Sequence, residues 1–238
     1  MSITAILQAR MTSSRLPGKV LMDIEGMPMI GRQIERIRGA KLLDEIVVAT
    51  STDPSDDVLT EYVESIGVNV KRGSLNDVLQ RFVDVLDTTN CKTVVRLTAD
   101  CPLADSEVID EAVELFLNSG VDYVSNSLDR TFPRGLDVEV VRPEVLREVA
   151  QKDFRPMSRE HVTYGVYTRT DIYSTKNFHQ NPSFANLRWT VDNQDDLNFV
   201  RCVYDNLYAK NANFRQREIL NWLNDFPDFA HYEKGEFS

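Results

Sequence analysis

Between residues 3 and 125, short apolar runs alternate four times with longer segments of helical spacing. The runs occupy residues 3–7, 46–50, 68–71, 93–97 and 123–125, and they are rich in β-branched side chains. Between them, Met29, Ile30, Ile34 and Ile37 form one stripe, and Val58, Leu59, Tyr62, Val63 and Ile66 a second. Val78, Leu79, Phe82, Val83 and Leu86 form a third, and Val108, Ile109, Ala112, Val113 and Phe116 a fourth. A strand too apolar to face water on either side, followed each time by an amphipathic helix, predicts a mostly parallel sheet covered on both faces, an α/β, Rossmann-like architecture.

After residue 125 the rhythm changes. "GLDVEVV" (residues 135–141) alternates like an antiparallel strand, and residues 161–173 are rich in β-forming residues. "LRWTVD" (residues 187–192) reads as a further strand, followed by helices near 195–209 and 215–223. The expectation is a single domain with a β-rich excursion over residues 130–185, suited to a substrate lid or a subunit contact.

The chain has 238 residues, ample for a sizeable core, and a formal net charge of −10. That charge argues against a general nucleic-acid binder, which needs a basic face. It leaves room for a small anion held by a local cationic loop. The opening "MSITAILQAR" is too short for a membrane span and lacks the basic start of a signal peptide. Cys91, Cys101 and Cys202 form no CxxC pair, so neither disulfides nor a zinc site is expected, and a reducing cytoplasm is the natural setting.

The loop after the first run, "ARMTSSRLPGK", gathers Arg10, Arg15 and Lys19 where the strand should end. In open parallel sheets, ligands bind beyond the carboxyl ends of strands. A loop of small residues can cradle phosphate with its N–H groups while Arg and Lys neutralise the charge. Neither standard phosphate fingerprint is present: there is no GxGxxG, and Val20 follows Lys19 where GxxxxGK[ST] needs a hydroxyl.

"VVRLTADCPL" runs apolar to Leu97 and then presents Asp100 before Pro102, which cannot continue a central strand. "LRWTVDNQDDL" presents Asp192 in the same way. Two strand-end aspartates suit a hard cation such as Mg²⁺, although either could instead cap a helix. Asp195 and Asp196 read as helix N-terminal acids. Cys101 reads as a small buried residue rather than a nucleophile.

In "ARMTSSRLPGK" the sequence resembles the cytidylyltransferases that activate acidic sugars, the CMP-sialic acid and CMP-KDO synthetases among them. "RLTADCPL", "GLDVEV", "REHV" and "LRWTVD" extend the resemblance, in order, over almost the whole chain and bring it closest to the branch named for spore coat polysaccharide biosynthesis protein F. The resemblance implies a nucleotidyltransferase fold that takes CTP, with Arg10, Ser13, Arg15 and Lys19 on the triphosphate and Gln8 and Ala9 near the base. Ser14 stands where relatives place Lys. It also matches Asp100 to the metal acid of the KDO branch's G-D-E-P motif and Asp192 to its second acid. Arg72, Ser74 and Asn76, in "RGSLNDVLQRF", fall in the segment that lies beside the nucleotide in those enzymes.

For the sugar, Arg134, Asp137 and Glu139 in "FPRGLDVEVV", with Arg159, Glu160 and His161 in "SREHVTYG", offer the carboxylate and guanidinium partners that sugar recognition requires. The expected activity is CMP transfer from CTP to a sugar, an acidic one such as a ulosonic acid, with pyrophosphate release in surface polysaccharide synthesis. The expected cofactor is Mg²⁺ and the expected assembly a homodimer, with neither nucleic acid nor membrane as partner. Two other readings remain open: a glycosyltransferase, since "DVE" resembles a D-x-D motif, and a non-catalytic nucleotide-binding subunit.

Overall fold

A computed structural model describes residues 2–229. β1 (Ile3–Gln8) runs into the basic loop, after which a short hairpin of β2 (Asp23–Ile24) and β3 (Met27–Pro28) delivers the chain to α1 (Met29–Ile37). β4 (Glu45–Ser51), α2 (Asp57–Ser65), β5 (Asn69–Gly73), α3 (Val78–Leu86), β6 (Thr93–Thr98), α4 (Ser106–Ser119) and β7 (Tyr123–Ser125) follow in turn. β8 (Glu139–Val141), α5 (Pro143–Lys152), α6 (Pro156–Glu160), α7 (Tyr164–Tyr167) and β9 (Thr175–Asn177) form the next section, and α8 (Gln194–Leu207) and α9 (Gln216–Asp225) close it.

The main sheet has seven strands in the order β5-β4-β1-β6-β8-β7-β9. β5, β4, β1 and β6 are mutually parallel, β8 is antiparallel to both its neighbours, and β9 is parallel to β7. Side chains of β1 alternate between two cores. Ile3, Ala5 and Leu7 pack with α1, α2, α4, α8 and α9, while Ile6 joins Val47, Ala49, α3, α5 and Val166 of α7 on the other face. Burial on both faces is why these strands read as continuous apolar runs. At roughly 25 cal/mol per Å² of apolar surface removed from water, the two layers dominate the stabilisation of the fold.

Two expectations about residues 130–192 are corrected. The segment 161–173 is not β-rich: it holds α7 and turns, with Val162 and Val166 buried. Both pack into the core that α3 and α5 form, and this packing overrides the strand preference of their neighbours. The excursion is therefore mostly helix and loop, with two three-residue strands, β8 and β9. "LRWTVD" is extended but not a strand of the sheet. Its backbone crosses the carboxyl ends instead, with Trp189 N–H donating to Arg134 O at 2.7 Å and Val191 N–H to Asp100 O at 2.8 Å. Gly135 makes the crossing possible. Its φ is +110°, and a Cβ there would stand 2.8 Å from the Trp189 carbonyl carbon.

Candidate active site

The carboxyl ends of the parallel strands are level. Ala9 N–H donates to Ala49 O at 3.2 Å and Ala99 N–H to Gln8 O at 3.0 Å, so the segments leaving β1, β4 and β6 open onto one cleft. The loop after β1 is held at both ends. The buried Asp56 carboxylate accepts Met11 N–H at 2.7 Å, and Gly18 N–H returns to Met11 O at 2.9 Å. Gly18 turns the chain at φ +71°, where a β-carbon is strained, and delivers Lys19 inward.

A cleft of about 380 Å³ lies beneath this loop. Gln8, Ala9, Arg10, Ser13, Arg15 and Lys19 line it, together with Asp100, Asp192, Glu160 and His161. The loop cations and both acids are thus brought together from three separate stretches of sequence. Asp192 is the hub. Arg15 Nη2 lies 2.8 Å and Lys19 Nζ 3.4 Å from its Oδ1, Arg188 Nη2 lies 3.0 Å from its Oδ2, and Lys19 also donates to Val191 O at 2.6 Å. Asp192 does not cap α8: Asn193 is the N-cap, in a reciprocal capping box with Asp196. The acid is therefore free of a helix-capping duty and is balanced by cations that a triphosphate would also attract.

Asp100 reaches the same cleft beside it, since Val191 N–H is bonded to the Asp100 carbonyl. Its Oδ1 accepts Thr98 Oγ1–H at 2.5 Å and, at 3.4 Å, the Cys101 thiol. Burial first, then the Asp100 charge, pushes that thiol well above its usual range, so it stays protonated and is a poor nucleophile. Among the described residues no cluster of three or more acidic, His or Cys side chains could hold a metal. Two carboxylates with hard oxygen donors do suit Mg²⁺, which keeps water and phosphate oxygens for its remaining positions.

Two cleft arginines were missed from sequence. Arg96, on β6, donates from Nε to Gln8 Oε1 at 3.1 Å and pairs with buried Glu139. Burial opposes its charge, yet Glu139 holds its pKa above the ordinary arginine value. Glu139 also accepts Tyr123 Oη–H and Thr163 Oγ1–H, each at 2.5 Å, so this network fixes the Gln8 amide from behind. Arg81, on α3, lines the cleft and is 2 % exposed. Its signal was its position: it shares the helix face of Val78, Phe82 and Val85, a cation inside an apolar stripe.

The remaining expected contacts do not line the cleft, and most are engaged elsewhere. Arg72 bonds Ser51 O and Asp53 O and pairs with Asp57. Ser74 Oγ accepts Asp77 N–H at 3.2 Å in the turn that starts α3, and Asn76 is exposed beside it. On the sugar side, Arg134 lies in the bridge to Arg188, and Asp137 is held by Arg130. Glu139 is committed to Arg96, and Arg159 is clamped on Asp77 and Ala150 O. Only Glu160 and His161 of that group face the cleft.

The chain is similar to known proteins over most of its length. The family model described as Cytidylyltransferase matches residues 4–227. The spore coat polysaccharide biosynthesis protein SpsF of Bacillus subtilis is 30% identical over 237 residues, 96% of each chain. An 8-amino-3,8-dideoxy-manno-octulosonate cytidylyltransferase of Shewanella piezotolerans is 31% identical over 202 residues, 79% of each chain. A solved cytidylyltransferase structure from Leptospira borgpetersenii superposes with a TM-score of 0.92 at 31% identity, covering 99% of both chains.

Proposed function

The chain belongs to the cytidylyltransferase family, and on that premise we propose that it transfers CMP from CTP to an acidic sugar, a ulosonic acid, releasing pyrophosphate for surface polysaccharide synthesis. The observation that carries this reading is the convergence of Arg10, Ser13, Arg15 and Lys19 with Asp100 and Asp192 on one cleft. The ulosonic acid is supported by the name of the Shewanella relative and the polysaccharide role by that of the Bacillus one.

In the proposed reaction a sugar hydroxyl oxygen attacks the α-phosphorus in line. The bond to the bridging oxygen of the β-phosphate breaks, its electron pair leaves with pyrophosphate, and the hydroxyl proton passes to water. Little covalent work falls to the protein, so catalysis rests on positioning and charge. Arg15 and Lys19, now on Asp192, would turn to the leaving phosphates, and Arg10 would add a third cation. Asp100 and Asp192 would hold Mg²⁺, whose positive charge supplies Lewis-acid neutralisation of the α-phosphate when bound. Glu160 and His161, which also line the cleft, would meet the sugar hydroxyls. The same reading has the enzyme working in the cytoplasm as a homodimer. No helix among the described residues is long and apolar enough to cross a membrane.

The test is pyrophosphate release, crossing four nucleoside triphosphates with a panel of ulosonic acids and neutral sugars in the presence of Mg²⁺. Release with CTP and a ulosonic acid is expected. Glycosyl transfer from a nucleotide sugar, or CTP binding without turnover on any acceptor, would replace the proposal.

A further inference from the structure

Asp192 lines the cleft, and Arg188, which grips it, does not. One nitrogen of Arg188 spans two carboxylates. Nη2 donates to Asp192 Oδ2 at 3.0 Å and to Asp196 Oδ2 at 2.7 Å, and Nε–H donates to Thr190 Oγ1 at 3.2 Å, which fixes the plane of the guanidinium. Asp196 is fully buried, and its Oδ2 also accepts the backbone N–H of Asp192 at 2.7 Å and of Asn193 at 3.0 Å. Main chain and side chain of Asp192 thus hang on one buried anchor at the start of α8.

The two oxygens of Asp192 therefore have partners of different kinds. Oδ1 meets Arg15 at 2.8 Å and Lys19 at 3.4 Å, cations of the cleft-lining loop that a phosphate can draw away. Oδ2 meets Arg188, whose charge is already answered by buried Asp196 and which has no surface on the cleft. When the loop cations turn, Oδ1 opens and Oδ2 stays occupied. Asp100 shows the same division. Its Oδ1 accepts Thr98 Oγ1–H at 2.5 Å and the Cys101 thiol at 3.4 Å, while its Oδ2 has no hydrogen-bond partner among the described residues.

We infer that Arg188 is a positioning residue that makes Asp192 offer a single oxygen, Oδ1, to a divalent cation; this rests on the nucleotidyl-transfer reading above. Mg²⁺ is small, demands near-octahedral order and keeps several waters, so it suits a site where each carboxylate gives one oxygen. A carboxylate free to swing would instead turn both oxygens to Arg15 and Lys19 and stay closed as an ion pair. Arg188 prevents that turn. Because Asp196 balances it, the restraint leaves Asp192 its own negative charge for the cation. Groups that orient a metal ligand from behind commonly govern affinity as strongly as the ligand does.

Calorimetry on the full-length protein tests this by titrating CTP, without sugar, in Mg²⁺ and in EDTA, for wild type, Arg188→Met and Arg188→Lys. Wild type is expected to bind CTP at least about tenfold more tightly with Mg²⁺ than in EDTA. Arg188→Met should shrink that gain below about threefold, with affinity in EDTA changed by less than about threefold, because the loop cations remain. Arg188→Lys keeps the charge without the planar fork and should also lose the gain. Melting does not decide the matter: Arg188→Met strips buried Asp196 of its cation and lowers stability whatever else Arg188 does. Should that variant not fold, Arg188→Lys is read in its place. A full Mg²⁺ gain in either folded variant would make Arg188 a structural ion pair only. Equal losses with and without Mg²⁺ would make it a phosphate contact, and a wild type without the gain would leave Asp192 no cation to hold; each of the three overturns the inference. A gain that depends on Arg188, with no pyrophosphate release on any sugar, would instead overturn the transfer reading and leave the positioning of Asp192 standing.

Discussion

At the scale of single residues, Asp192 separates the functional reading from the bland one. Its carboxylate meets Arg15, Lys19 and Arg188, while Asn193 caps the helix that follows. Asp192→Asn should therefore cut pyrophosphate release by roughly 10²- to 10³-fold, since charge stabilisation of the reacting phosphates is lost. The melting transition should stay close to wild type, because Asn keeps the size and an acceptor oxygen, Arg15 is exposed, Arg188 keeps Asp196 and Lys19 keeps the Val191 carbonyl. Near-native release across a Mg²⁺ titration would mean the second acid is misassigned. Lys19→Ala should mainly raise KM for CTP, by about tenfold, and an unchanged KM would remove the phosphate-loop role. The loop cations and both acids were legible because each follows an apolar run that must end there. Arg72 and Arg159 misled because an arginine's partner is set by tertiary contact: Arg159 finds Asp77, 82 positions away. Arg81 was legible only as a cation out of place in an apolar stripe.

At the scale of elements, the start of α6 shows how a short helix is fixed where local preference is weak. The Asp153 carboxylate, nearly buried, accepts Arg155 N–H at 3.1 Å, pairs with the Arg155 side chain at 2.6 Å and accepts Ser158 Oγ–H at 2.7 Å. Bonding to Arg155 leads the causes that hold its pKa far below the usual carboxylate range, with burial opposing. A depressed folded pKa contributes stability that is complete above the unfolded value near ~4 and is lost as pH falls toward the folded one. Asp153→Asn should thus lower stability at pH 7 by about 1–3 kcal/mol, and its acid unfolding curve should be flatter than wild type below about pH 4. Parallel acid curves for the two proteins would show that the carboxylate does not supply this linkage. β1, β4, β6 and β7 were placed within two residues of their observed ends because burial leaves an unmistakable apolar run, and the half-exposed edge strand β5 was placed as closely from the alternation that surrounds it. The segment 161–173 failed because β-forming side chains report burial as much as strand, and here the burial is on the face of α7.

At the scale of the whole molecule, the section between β8 and β9 is the place to expect a second copy of the chain. Phe154 is 75 % exposed, Met157 47 % and Ile172 49 %, three large apolar side chains on the short stretch that carries α6 and α7. Surface apolar residues are ordinary when scattered, but a concentration on one segment marks a contact surface. That segment is tied to the cleft twice: Arg159 clamps it to the N-cap of α3, and Glu160 and His161 stand on the cleft wall. A partner seated on it would hold the sugar side of the site in place without adding a residue to the phosphate side. The protein should therefore scatter light with twice the mass of one chain at assay concentration. Phe154→Asp should raise the dimer dissociation constant by about 10- to 100-fold, the loss of one well-buried aromatic contact. CTP affinity should persist in that variant while turnover on the sugar falls, because the proposed phosphate contacts lie in the loop after β1 and at Asp100 and Asp192. A monomer mass for wild type, or an unchanged dimer constant in the variant, would place the exposed aromatic outside any interface and leave the sugar side to be ordered by Asp153 and Arg159 alone.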